Sequence, residues 1–131
     1  MIEHIVLLKT KRPLSDEEKG TIRSKLMQIP GVLSFTAGEN YTKRGLEYNT
    51  GIVVRITTKE AEAAYQTHPI HIEVRDTILK PLIVKGSEST PPILAVDYEC
   101  PAPVAGLFST TAAAGLAAGI LVGYAIAKVM R

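Results

Sequence analysis

Two short stretches of this chain are apolar on both of their faces, and that limits the possible folds more than any other feature. In Glu3–Lys9 the side chains of His4, Val6 and Leu8 point one way, and those of Glu3, Ile5, Leu7 and Lys9 the other. The second stretch, Gly51–Thr57, is rich in β-branched residues, with Ile52, Val54 and Ile56 on one face. A strand with one apolar face can lie between a core and water. A strand apolar on both faces has to be covered twice.

The segments around these strands give the layers. Ser15 followed by Glu18 is a capping-box helix start, with Leu14 as a hydrophobic staple and acids in the first turn. Ile22, Leu26 and Ile29 then fall on one helical stripe, which Pro30 and Gly31 end. Val32–Ala37 reads as a strand, and "GENYTKRGLEYNTG" as a long loop that can lie over a barrel mouth and bring Tyr41 and Tyr48 to a pocket. Thr57 with Glu60 opens a second, Ala-rich helix that runs to Gln66. It breaks at His68–Pro69 and resumes with Ile70, Val74 and Ile78 at four-residue spacing, to about Leu82. "KGSESTPP" is loop, and Ile93–Tyr98 is the last strand.

The order is βαββαβ, the ferredoxin-like α+β arrangement with a four-stranded antiparallel sheet. Helices cover only one face of such a sheet. The doubled apolar strands require cover on the other, and a second copy of the same sheet is the simplest cover, so a homodimeric α/β barrel is expected.

Composition excludes several classes. A net charge of +2 on 131 residues, with its basic residues in short groups beside acids, gives no footprint for nucleic acid. The single cysteine, Cys100, rules out an intrachain disulfide and a cysteine zinc cluster. His68 and His71 lie three apart, but Pro69 interrupts the helix that would align them, and a third ligand would have to be His4 or a carboxylate. No metal and no cofactor is therefore assigned, and His68 is read as a helix-terminal residue favourable there when protonated.

Five stretches occur together and in a fixed order: "HIVLLK" at the start, "IPGV" after the first helix, "GEN" after the second strand, "YQTHPIH" at 65–71 and "VDY" at 96–98. In these the chain resembles the stress-response A/B barrel family of dimeric α/β barrels, over about residues 2–99. The resemblance implies the same fold and dimer. A plant cyclase of that family closes a linear polyketide by an aldol reaction without a metal. Its working tyrosine and histidine align with Tyr65 and His71, and two further residues near its pocket align with His4 and Asp97.

Proton removal next to a carbonyl needs a base active near neutrality and a donor for the developing oxyanion. His71 supplies the first and Tyr65 the second, with Asp97 expected to hold the other ring nitrogen of His71 and His4 to line the pocket. The structural alternative, which is preferred, is a buried His71–Asp97 pair tying the second helix to the last strand.

The chain divides into a barrel domain (1–99), a stiff joint at 100–103 ("CPAP"), an uncharged segment (104–127) and a basic end (128–131). As a helix, 104–127 would reach ~36 Å, enough to cross a hydrocarbon layer of ~30 Å. Lys128 and Arg131 would sit at the membrane edge. Gly115, Gly119 and Gly123 form two overlapping G-x-x-x-G motifs on one helical face, which suit close packing of helices.

A C-terminal transmembrane anchor is the expectation, with a mitochondrial membrane as its site. The whole sequence therefore reads as a membrane-anchored dimeric barrel that binds a small ligand or serves as an accessory or scaffold module, including as a subunit of a membrane complex. The alternative is a metal-independent cyclase- or isomerase-like enzyme with His71 as base and Tyr65 as donor.

Overall fold

The computed structural model describes residues 1–85 and 90–102. Its elements are β1 (Ile2–Leu8), α1 (Asp16–Leu26), β2 (Val32–Glu39), β3 (Thr50–Ile56), α2 (Lys59–Gln66), α3 (Pro69–Val74) and β4 (Ile93–Glu99). After α3 the chain widens into a π-turn at Arg75–Leu79 and tightens into a 3-10 turn at Lys80–Leu82.

The helix starts follow local chemistry. At α1 the Ser15 hydroxyl accepts from the Glu18 N–H at 3.0 Å, and the Glu18 carboxylate accepts from the Ser15 N–H at 2.8 Å. The expected capping box is therefore present, and a fork from Arg12 also engages the Glu18 carboxylate. At α2 the cap is Thr58, one residue later than the expected Thr57, and it accepts from the Ala61 N–H at 3.0 Å. That register puts Ala61 where a capping box needs an acid, so Glu60 plays no part in it.

His68 ends no helix. It caps the start of α3, its Nδ1 accepting from the Ile70 N–H at 3.1 Å, with Pro69 as the first helical residue. His68 thus acts through a lone pair at a helix start and not, as expected from sequence, through charge at a helix end.

The sheet order is β2-β3-β1-β4 with every pairing antiparallel, the ferredoxin-like arrangement. In register, His4 faces Val54 on one side and Asp97 on the other. The helix-covered face carries Ile2, Leu8, Ile52, Val54 and Ile56, which pack with Ile22, Leu26, Phe35, Tyr65 and Val74 into one buried core. Each such aliphatic side chain contributes about 1.5–3 kcal/mol by leaving water.

The backbone ladder continues to Cys100, which exchanges hydrogen bonds with Met1. Lys9 is buried, although a lysine is ordinarily solvated. Its ammonium donates to Glu47 at 3.0 Å and to the Thr90 carbonyl and hydroxyl, and it lies over the Tyr48 ring.

Among the described residues no helix covers the opposite sheet face. Leu94, Val96 and Tyr98 of β4 stand beside Leu7, Ile5 and Glu3 of β1, and these three β4 side chains are 41%, 54% and 47% exposed. Among the described residues no helix is long and apolar enough to cross a membrane. The expected membrane segment 104–127, with Gly115, Gly119 and Gly123, lies outside the described residues.

Candidate functional site

The break at His68–Pro69 sets up the site. It ends α2 one residue after Tyr65 and starts α3 two residues before His71, so both rings come to the same place. Their centroids are 4.4 Å apart with planes tilted by 40°. Tyr65 is buried to 2% exposure and also meets the His4 ring edge-on at 5.8 Å.

All three rings line a cavity of about 220 Å³ between the sheet and the helices. Its walls are mostly aliphatic, including Val6, Leu26, Val54, Leu79 and Ile93, with Arg75 and Lys80 also contributing. The π-turn at Arg75–Leu79 brings Arg75 and Leu79 to that wall, an irregularity that recurs at functional sites. The Tyr65 hydroxyl makes no hydrogen bond to a described residue, and Glu62 Oε2 is the only buried side-chain N or O atom among them without a partner. The Tyr65 hydroxyl is therefore open to whatever occupies the cavity.

The electrostatics divide the roles. Burial lowers the His71 pKa, and this outweighs the opposing influence of the Gln66 carbonyl, so the ring is held towards its neutral form. His71 Nδ1 donates to that Gln66 carbonyl at 3.2 Å, which leaves Nε2 as the basic nitrogen. Burial, and then the nearby Glu62 carboxylate, push the Tyr65 hydroxyl well above its ordinary value. Tyr65 is thus a donor and not a base.

Asp97 does not hold His71. It lies opposite His4 in the β1–β4 ladder, and its carboxylate accepts from His4 Nδ1. The adjacent-strand register decides this, because His4 and Asp97 are directly paired on the helix-covered face while His71 belongs to α3. The expected buried His71–Asp97 pair is therefore replaced by a His4–Asp97 pair. Tyr41 and Tyr48 do not line this cavity, but both line a separate, more open depression with Leu7, Gly51 and Val53. Tyr41 is 95% exposed, and Tyr48 is buried with its hydroxyl donating to the Pro91 carbonyl at 2.7 Å.

Sequence reading missed Glu62. It lies one turn before Tyr65 on α2, so the i, i+3 rule puts both on one helix face. Glu62 Oε2 is 3.7 Å from His4 Nδ1. The Asp97 carboxylate beside it, and then burial, push the Glu62 carboxyl up to about 7. Burial opposes ionisation of Asp97, but its interactions with Glu62 and His4 hold its carboxyl below the ordinary value.

A ferredoxin-like sheet with one apolar face, carrying a cavity lined by histidine and tyrosine under its helices, places the chain in the class of ferredoxin-like α+β barrel domains. The particular family follows from the sequence: the chain belongs to the stress responsive A/B barrel domain family, whose profile matches residues 2–100.

Solved structures agree on the fold. The chain is similar to an Arabidopsis thaliana protein at 24% identity and TM-score 0.56, covering 80% of this chain and 99% of that one. It is similar to a dimeric ferredoxin-like protein from a Jannaschia species at 26% identity and TM-score 0.52, covering 76% and 98%. A hydroxynitrile lyase from Passiflora edulis shares the fold at 16% identity and TM-score 0.56, covering 79% and 96%. Comparison with curated proteins gave no match.

Proposed function

We propose that the chain is a homodimeric A/B barrel that binds a small, largely apolar carbonyl compound under its helices and is held at a membrane by residues 104–127. The observation that carries the ligand reading is the cavity of about 220 Å³ onto which Tyr65, His71 and His4 all open. An apolar cavity of ~150 Å³ already holds a benzene ring. The larger volume here suits a ring with a short chain, or a chain of comparable size.

Dimerisation through the open sheet face is supported by the exposed Leu94, Val96 and Tyr98 and by a structural relative described as dimeric. The anchor rests on the uncharged stretch 104–127, its basic end and its G-x-x-x-G face. A mitochondrial membrane and an accessory place in a membrane complex are part of this reading, because a tethered barrel acts where its membrane partners are.

A second reading, acid/base catalysis, is favoured by one specific arrangement. A neutral His71 and a Tyr65 hydroxyl face the same cavity, and among the described residues neither His71 Nε2 nor that hydroxyl has a partner. His71 Nε2 would take a proton from the carbon next to a carbonyl, and the Tyr65 hydroxyl would donate to the oxygen as it becomes an enolate. The fold is shared with a lyase, the hydroxynitrile lyase named above.

Both readings are tested with one compound. Butyrophenone is titrated into full-length protein in D2O while its α-protons are followed by NMR. Saturable line broadening supports the binding site, and no saturable interaction with butyrophenone or its ring-hydroxylated analogues overturns it. Exchange of the α-protons that disappears in His71→Ala supports catalysis. Binding without exchange leaves a ligand-binding module and overturns the acid/base reading.

A further inference from the structure

We propose that His4, Glu62 and Asp97 form a binding site for one divalent transition cation of the zinc or manganese type, at the wall between β1, β4 and α2. One ligand atom from each residue lies within 4.8 Å of the others. The set joins an imidazole nitrogen to two carboxylates, a donor combination that suits zinc, manganese or iron. Magnesium and calcium prefer oxygen alone.

Two further observations point to a cation. Glu62 Oε2 is buried beside the Asp97 carboxylate and 3.7 Å from His4 Nδ1, with no hydrogen-bond donor in range among the described residues. That spacing is close to the ~3.3 Å edge of a tetrahedron built on metal bonds of ~2.0–2.1 Å. Neither carboxylate has a lysine or arginine in ion-pair range among the described residues. Lys59, on the same helix, reaches instead to Glu99 at 3.6 Å. A buried carboxylate is stable when paired with a cation or bound to a metal, and here the largely buried Glu62 and the more open Asp97 share a single imidazole whose side chain is only 8% exposed. Asp97, at 42% side-chain exposure, leaves a way in and room for water as the remaining ligand.

The site would also act on the cavity. A cation on Nδ1 would displace the hydrogen bond that Asp97 accepts there, leaving His4 with its proton on Nε2, and the ring would line the cavity as a donor sharpened by the metal charge. This consequence rests on the ligand-binding reading, whereas the cation site itself does not.

The test uses full-length protein stripped with a chelator and freed of it. Zinc is titrated by calorimetry, and manganese binding is followed by electron paramagnetic resonance. Binding of a single cation per chain is expected, weakened by at least about tenfold in Glu62→Gln and in Asp97→Asn, since even supporting residues around a metal matter by that factor. Glu60→Gln, on the exposed side of α2, should leave it unchanged. The absence of stoichiometric binding, or binding that survives both substitutions, overturns the proposal. Should a variant fail to fold, the unaltered protein decides the matter through ¹⁵N-labelled histidine. Zinc must shift the His4 Nδ1 resonance, and a spectrum in which only His68 or His71 responds overturns the site. Ketone binding is measured separately on the stripped protein, so failure of the metal site and failure of the cavity reading are distinct results.

Discussion

The ring of Tyr65 lies 4.4 Å from the ring of His71, although a helix break at Pro69 separates the two residues in the chain. The hydroxyl of Tyr65 has no partner among the described residues, so its removal leaves none of their buried groups unsatisfied. Tyr65→Phe should therefore change the stability of the barrel by less than about 1 kcal/mol in urea unfolding. The same variant should weaken ketone binding or slow α-proton exchange by at least about tenfold, about 1.4 kcal/mol. A large loss of stability with unchanged binding would assign the hydroxyl a structural role.

The pH dependence follows from the direction of the His71 shift. Burial lowers the folded-state pKa of this ring below its ordinary value of 6.5. The unfolded chain then binds the proton more readily than the folded one, so this contribution to stability is present above the unfolded value and is lost as pH falls through the folded one. Urea unfolding from pH 8 to pH 5 should show a decline below about 6.5 that is smaller in His71→Gln. An equal decline in both would assign the effect to other groups.

The apolar sheet face gives a prediction about assembly. Val96 is 54% exposed in the middle of β4, between Leu94 and Tyr98 on the same face. Val96→Asp puts a charge where a second sheet would pack, and desolvating it there without a partner costs several kcal/mol. Sedimentation equilibrium of residues 1–102 should give a dimer, and the Val96→Asp form should be a monomer with an unchanged far-ultraviolet spectrum. A monomer in both would leave the sheet face without this partner.

Much of the fold could be read in the sequence because local rules dictate it. Strand alternation in Glu3–Lys9, the Ser15 capping box and the Pro69 break need only short-range chemistry, and the structure has each of them. The A/B barrel motifs also brought Tyr65 and His71 together. What could not be read was cross-strand pairing. Asp97 faces His4 because of β1–β4 register, which no local pattern of either strand specifies. Glu62 was overlooked because an acid on a helix is ordinarily solvated, and only the position of the sheet edge shows that it is enclosed. The burial of Lys9 is likewise invisible to local pattern, since the partners that enclose it come from two distant loops.

Gly31 is a backbone test of how α2 is seated. It has φ near +90°, and a Cβ there would lie 2.6 Å from the Ala61 Cβ and 3.1 Å from the Thr57 hydroxyl. Gly31→Ala therefore combines an unfavourable conformation with a clash against α2, and it should cost about 2–4 kcal/mol in urea unfolding. Adding Ala61→Gly removes the clash but not the backbone strain, so the double variant should recover part of the loss. Full recovery would show that contact alone decides the position, and no recovery would show that strain does.

The anchor prediction concerns residues 104–127 directly. With no charge over that stretch and Lys128 and Arg131 behind it, a helical segment there is more favourable in hydrocarbon than in water. The barrel reaches its last ladder bond among the described residues at Cys100, so a form shortened after it should keep the fold. Full-length protein expressed in cells should stay with membranes through alkaline carbonate extraction, whereas a form ending at Pro101 should wash into the soluble fraction. Substituting Gly115, Gly119 and Gly123 by Leu should keep the membrane association and weaken helix–helix contact, read as lower cross-linking between tails in mild detergent. Equal release of the full-length and shortened forms would show that the tail is no anchor. The uncharged stretch would then have to be covered by protein in place of lipid.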